Sequence, residues 1–78
     1  MATMSPLAQL LENVRVEKNI ALEESARRLN VSAESYLQKE QEPEKVPLYV
    51  LASMMNALEF NSNEALELSL LTSRHSQD

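Results

Sequence analysis

The sequence predicts an all-α domain of five short helices. Apolar residues recur at three- and four-residue spacing in successive segments, and those segments are bounded by helix starters and stoppers: Ser5-Pro6, Asn30, Ser32, Pro47 and Asn61. The chain has 78 residues, no cysteine and no glycine. It therefore reads as one domain, with a core over about 5–72 and a frayed tail over 73–78. A domain of this size buries only ~60% of the surface its unfolded chain exposes. Its stability is marginal, so a partner covering more apolar surface is expected.

Ser5 can cap the free amides of a first helix, and Pro6 takes the first helical position, where a missing N–H costs nothing. Leu7, Leu10, Leu11 and Val14 then form one stripe, and the helix runs to about Lys18. The second helix places Leu22, Ala26 and Leu29 on one face, with Glu23 and Glu24 in the first turn complementing the helix dipole. Asn30 stops it in the left-handed conformation that asparagine tolerates better than most residues. Ser32 caps a third helix over about 33–40, with Glu34 near its positive end. Residues 41–46 read as a polar loop around Pro43. Pro47 opens a fourth helix with a stripe of Leu48, Leu51, Ala52, Met55 and Leu58. Asn61-Ser62-Asn63 supplies a cap for a fifth, which carries Ala65, Leu66, Leu68, Leu70 and Leu71.

Composition narrows the function. Without glycine there is no phosphate-cradling loop or nucleophile elbow of the usual kind, which excludes enzymes built on them. Without cysteine there is neither a disulfide framework nor a thiolate metal site, and the single histidine, His75, lies in the tail. No base–nucleophile pair sits on a rigid element, so no catalytic residues, metal or cofactor are expected. No apolar run approaches a membrane span, and MATMSPLAQ lacks the features of a signal peptide; a soluble cytoplasmic protein is expected. Twelve acidic against seven basic residues give a net charge of -5, so any nucleic-acid binding needs a local basic face.

The segment LEESARRLNVSAESYLQKE, with its acidic second helix, small Ala26, apolar Leu29, tight turn through Val31 and Ser32, and anchor at Tyr36, resembles the Cro-type (Xre-like) helix-turn-helix family. VPLYVLASMMNAL is similar to that family's fourth helix, and the resemblance spans roughly residues 7–66. There are departures: Asn30 and Glu42 stand in place of common glycines, and Ala21 and Leu22 in place of a capping hydroxyl and a phosphate-binding glutamine. The resemblance implies a compact lambda-repressor-like domain that regulates transcription by inserting its third helix into operator DNA.

On that resemblance Ala33, Glu34, Ser35, Gln38 and Lys39 enter the major groove. Gln38 can bond adenine in bidentate fashion, Ala33 can touch a thymine methyl, and Glu34 can accept only from a cytosine amine. Arg27, Arg28, Lys39 and Lys45 can hold flanking phosphates, with Arg15 and Lys18 as further candidates. Val50, Met54, Leu66 and Leu70 exceed the needs of one small core and are expected at a homodimer face. A rival reading keeps the fold but makes the chain an adaptor or antirepressor. It would dock the acidic surface of Glu34, Glu40, Glu42 and Glu44 onto a basic protein partner. The discriminating feature is whether Arg27, Arg28, Lys39 and Lys45 gather beside the third helix or are each neutralised by a carboxylate.

Overall fold

The computed structural model describes residues 4–75, and the side chains of 4–72. Among the described residues the secondary structure is helical throughout: α1 (Pro6–Glu17), α2 (Leu22–Leu29), α3 (Ala33–Gln41), a 3-10 turn (Pro43–Lys45), α4 (Leu48–Ala57) and α5 (Ser62–His75). No described helix is long and apolar enough to cross a membrane. The chain is all-α and five-helical, as expected. Residues 73–75 continue α5, while the rest of the expected frayed tail, 76–78, lies outside the described residues.

The termini follow local chemistry. Ser5 Oγ accepts from the Ala8 amide at 3.2 Å, and Ser32 Oγ from the Ser35 amide at 3.1 Å. Asn61 and Glu64 form a reciprocal capping box: the Glu64 amide donates to Asn61 Oδ1 and the Asn61 amide to Glu64 Oε1, both at 2.8 Å. The start of α2 has no side-chain cap, Ala21 standing at the cap position. With no glycine available, three other residues adopt positive φ at helix ends: Asn19 (59°), Asn30 (61°) and Glu59 (58°). Asparagine tolerates this region, whereas a left-handed glutamate costs about 1 to 2 kcal/mol of backbone strain.

The core is built from Leu7, Leu10, Leu11, Val14, Ile20, Ala26, Tyr36, Leu51, Met54, Leu58 and Leu68. In α4 the phase differs from the expected stripe. Leu51, Met54 and Leu58 point inward, while Leu48 is 70% exposed and Ala52 is exposed. The reason is that α4 is apolar on nearly every side, so its periodicity does not choose a face; packing against α2 does. The expected loop at 41–46 is also more ordered: α3 extends through Gln41, and Pro43 is buried in the 3-10 turn.

Among the described residues one charged group lies among these apolar ones, beside the buried hydroxyl of Ser25. Glu40, expected on an acidic surface, is 2% exposed. Arg15 reaches it from α1 with both arms of its guanidinium, Nε to Oε2 at 2.8 Å and Nη2 to Oε1 at 3.2 Å. The Tyr36 hydroxyl donates to Oε2 at 2.8 Å, and Arg15 Nη1 donates to the Ile20 carbonyl at 3.0 Å. Burial, reinforced by the Glu40 charge and hydrogen bond, pushes the Tyr36 hydroxyl above its ordinary pKa, so it remains a donor. No buried side-chain polar atom is left without a partner among the described residues.

Removing one member of a buried pair leaves the other charge unsatisfied. Glu40→Leu is therefore expected to cost about 3 to 5 kcal/mol, whereas Arg15→Met, Tyr36→Phe and Glu40→Leu combined should regain most of that loss. Urea midpoints measure both; a Glu40→Leu cost below about 1 kcal/mol would show that the network holds nothing together.

Candidate nucleic-acid interface

α3 is fastened along one side and open along the other. Tyr36 and Glu40 are buried, and Ala33 packs partly against the core. Glu34, Gln38 and Gln41 are exposed, one turn apart along the outer face. Ser35 and Lys39 lie beside this stripe, half-buried, with Lys39 Nζ donating to Ser35 Oγ at 2.9 Å. Of the five residues expected to read bases, Glu34 and Gln38 are the freest. Ala33 turns toward the core instead, because position 33 shares a face with Tyr36, Leu37 and Glu40.

The second half of α3, the 3-10 turn and the start of α4 enclose a groove of about 260 Å³. Its lining includes Ser35, Gln38, Lys39, Glu42, Lys45 and Val50. Val50, expected at a dimer face, is half-buried and lines this groove.

The cations are largely engaged. Glu24 takes both arms of Arg27, Nε at 3.0 Å and Nη2 at 2.5 Å, and also Arg28 Nε at 2.9 Å. Arg28 Nη1 further donates to the Ala57 carbonyl at 2.6 Å and to Glu59 at 3.0 Å, tying α2 to the end of α4. Lys18 bonds Glu64 at 2.8 Å and the Glu59 carbonyl, joining the ends of α1 and α4 to the start of α5. Arg15 is held by Glu40, and Lys45 stands 3.6 Å from Glu42, both of the latter pair exposed. Among the described residues no carboxylate forms an ion pair with Lys39. The expected cations do not, therefore, gather beside α3: Arg27 and Arg28 are neutralised on α2, and only Lys39 and Lys45 border the α3 groove.

The apolar surface is also divided differently from expectation. Met54, expected at a dimer face, is fully buried because it takes the inward position of α4. Leu66 and Leu70 are 60% and 58% exposed, one turn apart on α5. Nearby, α4 and α5 border a groove of about 480 Å³ lined by Ala52, Ser53, Met55, Asn56, Phe60 and Ala65. Leu48 and Tyr49 form a second exposed apolar pair at the start of α4.

The Arg15–Glu40 pair was not read from the sequence, although a signal existed. Glu40 stands one turn after Tyr36 and so on the same face, and a carboxylate on a core face requires a partner. No group of three or more His, Cys, Asp or Glu residues able to hold a metal ion occurs among the described residues. No protein-family model, curated protein or solved structure matches the chain.

Hydrogen bonds from Arg27 and then Arg28 hold the Glu24 carboxyl down to about 2. A depressed folded-state pKa contributes stability that is present above the ordinary carboxylate range and lost as pH falls through about 2. The clasp on both arginines is thus expected to persist at pH 4. NMR titration should give Glu24 a midpoint near 2 that returns to the ordinary range in an Arg27→Ala, Arg28→Ala double variant. An ordinary midpoint in the wild type would mean that both arginines are free.

Proposed function

We propose that the chain is a small DNA-binding transcriptional regulator of the Cro-type helix-turn-helix kind, acting as a homodimer that inserts α3 of each subunit into the major groove. The observation that carries this reading is the state of α3. It is anchored to α1 through Glu40 and Arg15, capped by Ser32, and packed closely on α2 across a three-residue turn. Its outer face presents Glu34, Gln38 and Gln41, and no core contact would have to be broken for Glu34 or Gln38 to meet a base.

The electrostatics make this a weak binder. With a net charge of -5 and most cations already held by carboxylates, the phosphate attraction is small. The same observation favours a second reading, an adaptor or antirepressor that docks an acidic surface onto a basic protein. Glu40 drops out of that surface because it is buried; Glu34, Glu42 and Glu44 remain.

One titration separates the two. With a selected operator, Gln38→Ala is expected to lose about 1 to 3 kcal/mol and to relax specificity at one base position. Glu34→Gln is expected to tighten binding to operator and random DNA alike, by removing a carboxylate from the phosphate field, unless Glu34 accepts from a cytosine amine. Absence of wild-type binding even at low salt would favour the protein-docking reading.

The homodimer rests on α5. Leu66 and Leu70, exposed one turn apart on α5, are the apolar residues that a second subunit would cover. Sedimentation at micromolar concentration is expected to show a dimer, with Leu66→Lys, Leu70→Lys giving a folded monomer; a wild type that stays monomeric would remove this part.

A further inference from the structure

α5 hangs on a strained corner. It packs on α1, with Leu68 buried and Leu71 set partly against the core. The connection from α4 runs over 58–61 and contains neither glycine nor proline, so its direction rests on the left-handed φ of Glu59, 58°. A residue with a Cβ adopts that conformation at a cost, and glutamate lacks the short polar side chain that eases it at Asn19 and Asn30. The two sides of the corner are held by different cations. On the α4 side, Arg28 grips the Ala57 carbonyl at 2.6 Å and the Glu59 carboxylate at 3.0 Å. On the α5 side, Lys18 of α1 bonds Glu64 at 2.8 Å and the Glu59 carbonyl, with its ammonium 6.0 Å from the centre of the Phe60 ring. The end of α4 is thus pinned to α2, while α5 is held to α1 by an apolar ridge and one lysine.

We propose that two copies of the chain exchange α5, each laying its fifth helix on α1 of the other. This rests on the homodimer reading and states how that dimer is held. A second copy covering Leu66 and Leu70 brings the two α5 helices side by side, where the reach for exchange is shortest. Exchange re-forms the same contacts between subunits: Leu68 and Leu71 return to an α1 surface, and Lys18 again meets Glu64. What changes is the hinge. In the open arm Glu59 takes an ordinary negative φ, and Leu58 and Glu59, both good helix formers, continue α4. Each hinge then sheds strain equivalent to about five- to thirtyfold in the equilibrium. Short hinges under strain are the ones that exchange at low cost.

The test mixes two charge-reversal variants, Lys18→Glu and Glu64→Lys, one of them isotope-labelled. They are unfolded in urea, refolded together and counted as homodimers and heterodimers by native mass spectrometry. Each variant alone sets like charges against each other wherever α5 meets α1. With exchanged helices the heterodimer restores an opposite-charge pair at both contacts, so it should exceed its statistical share by about fivefold. Without exchange each chain keeps its own mismatch and mixing is statistical. The hinge is tested separately by sedimentation of the full chain. Glu59→Gly removes the left-handed penalty from the closed corner and should weaken the dimer by at least about thirtyfold, two hinges being relieved. Glu59→Ala, which removes the carboxylate and keeps the penalty, should leave the dimer within about twofold of wild type. Statistical mixing, or a Glu59→Gly dimer as tight as wild type, would overturn the exchange and leave a side-by-side homodimer standing. If the charge variants do not fold even when mixed, the Glu59→Gly result decides. A wild type that is monomeric at micromolar concentration would overturn both.

Discussion

The arrangement of this domain depends on one buried ion pair. Arg15 and Glu40 are far apart in the chain, and their bidentate contact brings α1 against α3 at a fixed height. The Tyr36 hydroxyl donates to the same carboxylate and the Ile20 carbonyl accepts from the same guanidinium, so these four groups also tie the α1–α2 connection to α3. A buried pair of this kind contributes little net stability compared with apolar residues of the same shape. Its effect here is orientational: with Tyr36 and Glu40 held inward, residues 34, 38 and 41 have nowhere to face but outward. The candidate reading surface is thus a geometric consequence of a core contact.

The charge economy of the chain follows the same pattern. Arg15 closes the core, Lys18 joins three helix ends, and Arg28 bridges α2 to the Ala57 carbonyl at the end of α4. Cations placed where they satisfy orphan carbonyls at helix C-termini are cations withdrawn from the surface field. This compensates in part for the missing glycines: Asn19, Asn30 and Glu59 turn the chain at helix ends, and Lys18 and Arg28 bond the backbone beside Glu59. A small positive excess remains at Lys39 and Lys45, beside the apolar Val46, Pro47 and Val50.

Local features were legible in the sequence where a single helix turn contains the whole interaction. Ser5, Ser32 and Asn61 cap as their positions suggest, because a cap needs only an oxygen and an amide three residues apart. Asn30 takes the left-handed conformation for the same local reason. Periodicity identified the inward face of α1, where apolar and polar residues segregate; in α3 only the anchor Tyr36 was expected inward, while Ala33 and Glu40 were expected outward and turn toward the core. It failed in α4, where Leu48, Leu51, Met54 and Met55 offer two equally apolar faces, and with it failed the placing of Met54 at a dimer surface. Of the residues expected to meet DNA, the exposure of Glu34 and Gln38 was legible, and so, at three- and four-residue spacing from Glu24, was the pairing of Arg27 and Arg28; the hold of Arg28 on the end of α4 was not.

The sequence by itself determined the helical class, the number of helices, their caps and the net acidity, because propensity, capping and composition act within a few residues of chain. Only the tertiary structure decided which face of α4 is buried, that Glu40 is interior, and that Arg15 and Lys18 are taken up by distant carboxylates. Each of these depends on groups brought together from distant segments. Arg15 meets Glu40 across 25 positions and Arg28 meets the Ala57 carbonyl across 29. The partner of a buried carboxylate such as Glu40 is set by distance in space, which no local pattern encodes.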